Sequence, residues 1–374
     1  VTAADRFDAL APRLRRWPDV EAHDLVAADA GDRLILSEAG EVGAEAVVVG
    51  DRYGALTLSL LADDPERRIR VHQDALTGER ALAANAAELG VALDRVTWHD
   101  LDDALAAGAH TVLMQLPRSL DALDEIARVL ATSAAEDVRV VAGGRVKHMT
   151  TAMNDVLGRH FERVVASRAA SKSRVLHASA PVRGAGSPWP RGQHHPDLGL
   201  TVCAHGAAFA GTSVDIGTRF LLDFLAEMRD ARDAIDLACG TGVLATMLAR
   251  ARPGTRVIAT DQSAAAVASA RATAAANGVG DRVEVVRDDG LGARPDGSAD
   301  LVLLNPPFHS GAAVTDAIAP GLFADAARVL RPGGELWCVY NSHLGYRPAL
   351  ERLVGPTRQA GRNAKFTVTV SVRR

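Results

Sequence analysis

Short apolar runs alternate along the whole chain with longer alanine-rich stretches of helical period. That alternation predicts strands of a largely parallel sheet covered by helices. The strand-like runs lie at 46–49, 69–72, 96–99, 111–115 and 138–142, and again at 234–237, 256–260, 283–287, 301–304, 335–340 and 365–372. Between the two sets, residues 181–196 (PVRGAGSPWPRGQHHP) hold four prolines and three glycines. Proline removes a backbone donor and glycine raises the entropy of ordering, so this stretch reads as a linker.

The two sets are spaced alike, which predicts an internal repeat. A shift of about 190 residues lays Val47-Val48-Val49-Gly50 on the stretch Asp236 to Gly240, and TVLMQLP (111–117) on LVLLNPP (301–307). Arg128-Val129-Leu130 then falls near Arg328-Val329-Leu330. The order is conserved better than the identities, as expected of one α/β domain duplicated and diverged. The differences between the copies are therefore informative.

Composition narrows the class. With 374 residues, 48% apolar and 24% charged, the chain is long enough for two cores and too apolar for a disordered protein. Asp5, Arg6, Asp8, Arg13, Arg15 and Arg16 stand where a secretion signal would have its apolar core, and no long uncharged apolar stretch follows. Neither secretion nor a membrane span is expected. Cys203, Cys239 and Cys338 lack any paired or metal-ligand spacing, so neither a disulfide framework nor a metal site is expected, and the cytoplasm is the expected compartment.

The net charge of −4 hides a segregation. Residues 1–138 carry 13 Lys/Arg against 26 Asp/Glu, residues 139–191 ten against two, and residues 192–374 nineteen against eighteen. A basic block in an acidic protein suits a phosphate-rich partner through Coulomb attraction and counterion release, and it suits a plain solvated surface about as well.

In the second copy, the strand 234–237 runs into Ala238-Cys239-Gly240-Thr241-Gly242 and then an alanine-rich helix. Gly240 and Gly242 allow a tight turn at which a ligand approaches backbone at a helix start. Asp261 ends the next strand, where a carboxylate can accept from both hydroxyls of a ribose. The third glycine of a pyrophosphate loop is missing, and Asp236 would repel phosphates while holding an ammonium group. These features point away from a dinucleotide and toward S-adenosylmethionine. Asp288 or Asp289, after the following strand, could accept from the adenine amino group.

The strand 301–304 leads into Asn305-Pro306-Pro307-Phe308-His309. The prolines fix φ, leaving the Asn305 side-chain oxygen and the Pro306 carbonyl as fixed acceptors for an exocyclic amine. Phe308 can stack on the ring bearing that amine. Catalysis would rest on orientation and desolvation, with His309 read as a hydrogen-bonded neighbour rather than a base.

DxxxGTG joined to NPPF resembles the amino-methylating class of S-adenosylmethionine-dependent methyltransferases. More narrowly, Phe209 to Phe220 (FAGTSVDIGTRF), NPPFH and Val314-Thr315-Asp316 resemble the ribosomal RNA guanine-N2 methyltransferases of the RsmC/RlmG type. The ending Gly361 to Phe366 (GRNAKF), with GDRYGALTLS (50–59), QLPRSL (115–120) and VVAGGR (140–145), is most similar to the branch acting on large-subunit rRNA.

The resemblance implies an α/β protein of two tandem Rossmann-like class I methyltransferase domains with seven-stranded, mostly parallel sheets. A degenerate docking domain would occupy 1–180, a linker 181–196, and the catalytic domain 197–374. It implies that Asp236, Ala238, Gly240 and Gly242 hold the methionine part of the cofactor, Asp261 the ribose and Asp288 or Asp289 the adenine. Asp215 and Gly217 would close over the cofactor, while Asn305, Pro306, Pro307 and Phe308 take the target guanine. Ala238 is a departure, since many relatives have glycine there.

In the first copy, Gln115-Leu116-Pro117-Arg118 stands at the place of NPPF, and Ala46 is read at the place of Asp236. That copy is expected to dock RNA, with Arg118, Arg145, Lys147, Arg168, Lys172 and Arg174 as phosphate contacts, although any one of them alone is better explained as a surface ion pair. The expected partner is ribosomal RNA, 23S before 16S, bound by a monomer without metal or membrane. Protein glutamine and adenine N6 are the alternative substrates for such a loop. A non-catalytic RNA-binding factor would need a damaged second copy, and a dehydrogenase would need the missing glycine.

Overall fold

A computed structural model describes the chain except residues 1, 24, 185 and 308–311, and of 312–317 the backbone only. The chain divides into two compact units, residues 1–188 and 189–374. In the first unit the strands are β1 (Glu45–Val49), β2 (Arg68–His72), β3 (Val96–Trp98), β4 (Thr111–Gln115), β5 (Arg139–Arg145), β6 (Phe161–Ala166) and β7 (Ser173–Pro181). They form one sheet in the order β3-β2-β1-β4-β5-β7-β6. The second unit opens with a hairpin of β8 (Arg191–His195) and β9 (Leu200–Ala204). Its sheet holds β10 (Asp233–Leu237), β11 (Arg256–Asp261), β12 (Val283–Arg287), β13 (Ala299–Leu304), β14 (Leu330–Asn341), β15 (Thr357–Arg362) and β16 (Phe366–Val372). The order there is β12-β11-β10-β13-β14-β16-β15, the same topology.

In both sheets the first five strands run parallel and the last two pair antiparallel. Central strands are buried on both faces, which is why they read as unbroken apolar runs. In β1, Ala46 and Val48 pack into one core and Val47 and Val49 into the other. In β10, Ala234 faces one core while Ile235 and Leu237 face the second. The strand order reverses between β1 and β4, and between β10 and β13, so each unit has its crevice at the carboxyl ends of those strands.

The structure departs from the sequence reading in three places. The stretch 181–196 is not all linker, because Arg191–His195 forms β8. That strand is polar and mostly exposed, with no apolar signal to read. Strands β6, β7 and β15, which complete the seven expected in each sheet, and β9 of the hairpin were not located from apolar runs, and edge strands such as β15 (TRQAGR) need only one paired neighbour. Finally, β1 sets Val48 opposite Leu113 while β10 sets Asp236 opposite Leu303. With Gln115 at the place of Asn305, the counterpart of Asp236 is Val48 and not Ala46. Both lie on the same pleat face, so the copy loses its carboxylate there in either register.

The hairpin is held by a ladder of side chains. The backbone N–H groups of Thr201, Cys203 and His205 donate to Asn277 Oδ1 (3.0 Å), Thr273 Oγ1 (3.0 Å) and Ser269 Oγ (2.9 Å). Alternate strand residues repeat at nearly the same distance as helix residues four apart, about 6 Å, so strand and helix stay in register. These three side chains end or lie in the helix Ala264–Ala276, which follows β11.

At the opposite end of the second sheet, Asp233 is tied to Arg256 (2.5 Å) and Arg331 (2.9 Å), and Arg331 also reaches Asp300 (2.7 Å). Burial raises the Asp233 carboxyl but is outweighed by Arg331 and Arg256, and it ends below its ordinary 3.8. No helix among the described residues is long and apolar enough to cross a membrane. Arg331→Met is expected to lower the unfolding free energy by about 2 kcal/mol at pH 7, less than for a fully buried pair because the guanidinium is 39% exposed. Because Asp233 and Asp300 are both lowered, this stability is present above 3.8 and lost as pH falls through the lowered values. Urea midpoints of the two proteins should therefore differ at pH 7 and converge in acid.

Candidate active site

After β10 the chain turns sharply, with Ala238 (φ 57°), Gly240 (φ 53°) and Gly242 (φ 73°) all in the left-handed region. The two glycines serve different ends. A Cβ on Gly242 would stand 2.8 Å from Ala270 Cβ, so this glycine lets the helices Val243–Ala251 and Ala264–Ala276 approach. A Cβ on Gly240 would meet nothing within 4 Å, leaving a cradle of bare backbone. Ala238 holds a conformation that costs an L-residue roughly 1 kcal/mol, more than the one methyl group counted from sequence suggests.

Two carboxylates brace this turn. Asp236 is 1% exposed, and its Oδ2 accepts from Ala245 N at 2.9 Å. Its Oδ1 is buried without a hydrogen-bond partner, and burial, aided by the nearby Asp261 charge, pushes the carboxyl up to about 7. Asp261 accepts from Gly240 N and Ser263 N, each at 2.9 Å. In the next loop Asp288 is 3% exposed and both its oxygens are engaged by its own loop, from Asp289 N and Ala293 N at 2.9 Å. Asp289 beside it is half-buried.

At the end of β13, Asn305 Nδ2 donates to Asp215 Oδ2 at 2.9 Å and to Thr218 Oγ1 at 3.0 Å. Asn305 Oδ1 is buried and has no partner among the described residues. Asp215 also caps the helix Ile216–Leu222 by accepting from Thr218 N at 3.0 Å. Gly217 makes room for this arrangement, since a Cβ there would stand 3.0 Å from Asp215 Oδ2 and 3.2 Å from Phe366. Pro306 is buried and Pro307 exposed, while Phe308 and His309 lie outside the described residues. The sequence reading expected Asp215 to close over the cofactor; in the structure its Oδ2 accepts from Asn305. Thr218 was not among the expected site residues, and it stands inside the FAGTSVDIGTRF stretch only as one hydroxyl among several.

The equivalent turn of the first unit is closed by its own side chains. Gly54 (φ 88°) caps the helix Ala55–Asp63 as Gly242 caps its own. Asp51, 1% exposed, accepts from Leu56 N (3.2 Å) and Thr57 N (2.7 Å). Tyr53 donates to Asp19 at 2.6 Å beneath the Arg16 guanidinium. Gln115, in the place of Asn305, donates to Asp32 at 2.6 Å.

The structure gathers the six basic candidates of this unit. Arg118 follows β4, Arg145 ends β5, Lys147 sits in the turn after it, and Arg168, Lys172 and Arg174 lie on or beside the β6–β7 loop. Val146 N donates to Lys172 O at 2.9 Å, joining turn and loop. All but Arg145 are exposed, and among the described residues none has an ion-pair partner, in place of the surface pairs expected singly. Desolvation, then the charges of Arg118, Lys147 and Arg52, lower the His148 imidazole. No cluster of three or more His, Cys, Asp or Glu able to hold a metal occurs among the described residues.

A doubly wound sheet with this turn and an Asn-Pro-Pro loop at its switch point defines a class I methyltransferase unit, here beside a diverged second copy. Residues 199–370 match the methyltransferase small domain family and residues 5–182 the RLMG N-terminal domain family. Ribosomal RNA large subunit methyltransferase G of Streptomyces coelicolor is 38% identical over 375 residues, covering 96% of this chain and 97% of that protein. The protein of the same name from Pseudomonas paraeruginosa is 37% identical over 361 residues, with 95% and 96% covered. Among solved structures, the T. thermophilus 16S rRNA N2 methyltransferase RsmC, in complex with AdoMet and guanosine, shares the fold with a TM-score of 0.76 at 22% identity over 92% of each chain. The chain belongs to the family of ribosomal RNA large subunit methyltransferase G.

The raised Asp236 carboxyl carries a stability prediction. Its favourable contribution is complete below 3.8, where it is protonated in both states, and is lost as pH rises to about 7. Asp236→Asn keeps the acceptor for Ala245 N but removes the buried charge. The variant should therefore melt higher than the parent at pH 8, with the gap shrinking at pH 5. Melting curves at both pH values check this.

Proposed function

We propose that the chain transfers a methyl group from S-adenosylmethionine to the exocyclic N2 amine of a guanine in ribosomal RNA, in the 23S molecule rather than the 16S. The observation that carries this reading is the Asn305 amide: its nitrogen is engaged twice, and its buried oxygen has no partner among the described residues. A buried acceptor left open costs free energy, and an incoming N–H satisfies it. The large-subunit preference rests on the family and on the named relatives.

The residues present fit the cofactor. The Asp236 Oδ1 is an orphan acceptor suited to an ammonium group, and the bare backbone at Gly240 admits close approach. Asp261 would take the ribose hydroxyls. Asp288 or Asp289 would accept from the adenine amine; both oxygens of Asp288 also serve its own loop. When bound, S-adenosylmethionine supplies an electrophilic methyl on a sulfonium that leaves as a neutral thioether. Asn305 Oδ1 and the Pro306 carbonyl receive the two N–H bonds of the guanine amine and aim its lone pair at that methyl. The same oxygens stabilise the positive charge that develops on nitrogen, and the surplus proton passes to water. Phe308 would stack on the base.

The first unit serves in this reading as the RNA-docking domain, its basic side chains meeting phosphates. With a ribosomal substrate the protein works in the cytoplasm.

Labelled methyl transfer to protein-free 23S and 16S rRNA, followed by nucleoside digestion, tests the proposal. N2-methylguanosine from 23S is expected, with kcat reduced about a hundredfold or more in Asn305→Ala. Label in N6-methyladenosine, or N2-methylguanosine from 16S alone, would overturn it. Calorimetry should count one cofactor per chain, since the first unit's turn is closed by Asp51 and Tyr53. Replacing Arg118, Lys147 and Lys172 together by alanine should raise KM for RNA and flatten its salt dependence, with cofactor affinity unchanged.

A further inference from the structure

A primary amide offers a donor at one end and an acceptor at the other, and the two differ little in shape. For Asn305 to receive an amine, its oxygen must face the substrate in essentially every molecule. The surroundings of Asn305 impose that choice. A carboxylate accepts only, so Asp215 Oδ2 at 2.9 Å requires the NH2 end of the amide, and Thr218 Oγ1 at 3.0 Å takes that end's second hydrogen. The oxygen is thereby turned away from both, buried and unpartnered.

We propose that Asp215 and Thr218 are positioning residues for methyl transfer, holding the Asn305 amide so that Oδ1 is presented to the target amine; this rests on the reading of Asn305 given above. The pair is itself held. Asp215 is locked as a helix cap by Thr218 N at 3.0 Å, so one carboxylate oxygen fixes both the helix start and the amide. Gly217 keeps its neighbours close, because any Cβ would press on that oxygen and on Phe366. The chain reaches Asp215 from β9, whose N–H groups are anchored to Ser269, Thr273 and Asn277.

The arrangement acts on charge as well as on orientation. Donation from Nδ2 to an anion favours the resonance form of the amide that places negative charge on Oδ1. An oxygen so polarised binds an amine more strongly as its nitrogen becomes positive, which is stabilisation realised in the transition state more than in the ground state.

The test compares Thr218→Val, Thr218→Ser and Asp215→Asn in the complete protein, by methyl transfer to rRNA, cofactor binding and melting temperature. Thr218→Val keeps the side-chain shape and removes one acceptor. We expect kcat to fall about tenfold with cofactor Kd and RNA KM unchanged, and Thr218→Ser to recover it to within about twofold. Asp215→Asn allows the facing amides to turn over, and kcat should fall about a hundredfold. On the residual rate of Asn305→Ala, Thr218→Val should have no further effect, because its only route of action has been removed. A loss of kcat that persists in the Asn305→Ala background, or that comes with weakened cofactor binding, would overturn the proposal. So would a Thr218→Val enzyme with the parent's kcat. Failure of the underlying reading has a separate signature: Asn305→Ala itself would leave kcat intact.

Discussion

A strand buried on both faces has no room for chemistry along its length, so every polar group the protein uses must sit where such strands end. Both sheets obey this constraint. Strand β13 is apolar and buried from Leu301 to Leu304, and the next residue is Asn305. Strand β10 holds a carboxylate near each end: Asp233 at its start is met by Arg256 and Arg331, while Asp236 near its carboxyl end is pushed up to about 7 by its burial. The site is thus built from side chains that the sheet tolerates only because helix amides or loop groups meet them within a residue or two.

The two copies answer the same backbone demand differently. In each, a glycine in the left-handed region starts a helix whose third amide lacks an intrahelical partner. In the second copy Asp236 reaches that amide from within the strand, at Ala245 N, and keeps an oxygen open. In the first copy Val48 cannot, and Asp51 folds back from the loop onto Thr57 N. A residue moved three places along the chain restores the cap, with both its oxygens turned to helix amides. Gln115 and Asp32 likewise keep an amide–carboxylate contact where Asn305 and Asp215 form theirs. The diverged copy has retained the local satisfaction of its polar groups without the open acceptors.

Much of this was legible in the sequence because strong local signals carry it. Strands β4 and β12 fall on the bounds read from their apolar runs, and the turn glycines and Asn-Pro-Pro announce themselves by residue type. Polar edge strands were not legible, since pairing with one neighbour asks little of side chains. The register of β1 was misread by one pleat repeat, as alternation alone distinguishes faces and not positions. Thr218 escaped because a hydroxyl has many local uses, and nothing in one chain says which it has adopted. Ser269, Thr273 and Asn277 did leave a trace, a polar stripe every fourth residue along an alanine-rich helix, but its meaning required knowing that a strand lay across it.

That stripe gives the second unit a mechanical coupling. The helix Ala264–Ala276 begins three residues after Asp261, at the donor side of the crevice, and carries β9 on its flank. The continuation of β9 ends in Asp215, at the acceptor side. One helix therefore follows the Asp261 turn at its start and pairs along its flank with the chain that leads on to Asp215. In the proposed reaction, the carboxylate expected to meet the ribose and the pair that holds Asn305 are thus linked through the flank of one helix, by two hydroxyls and an amide.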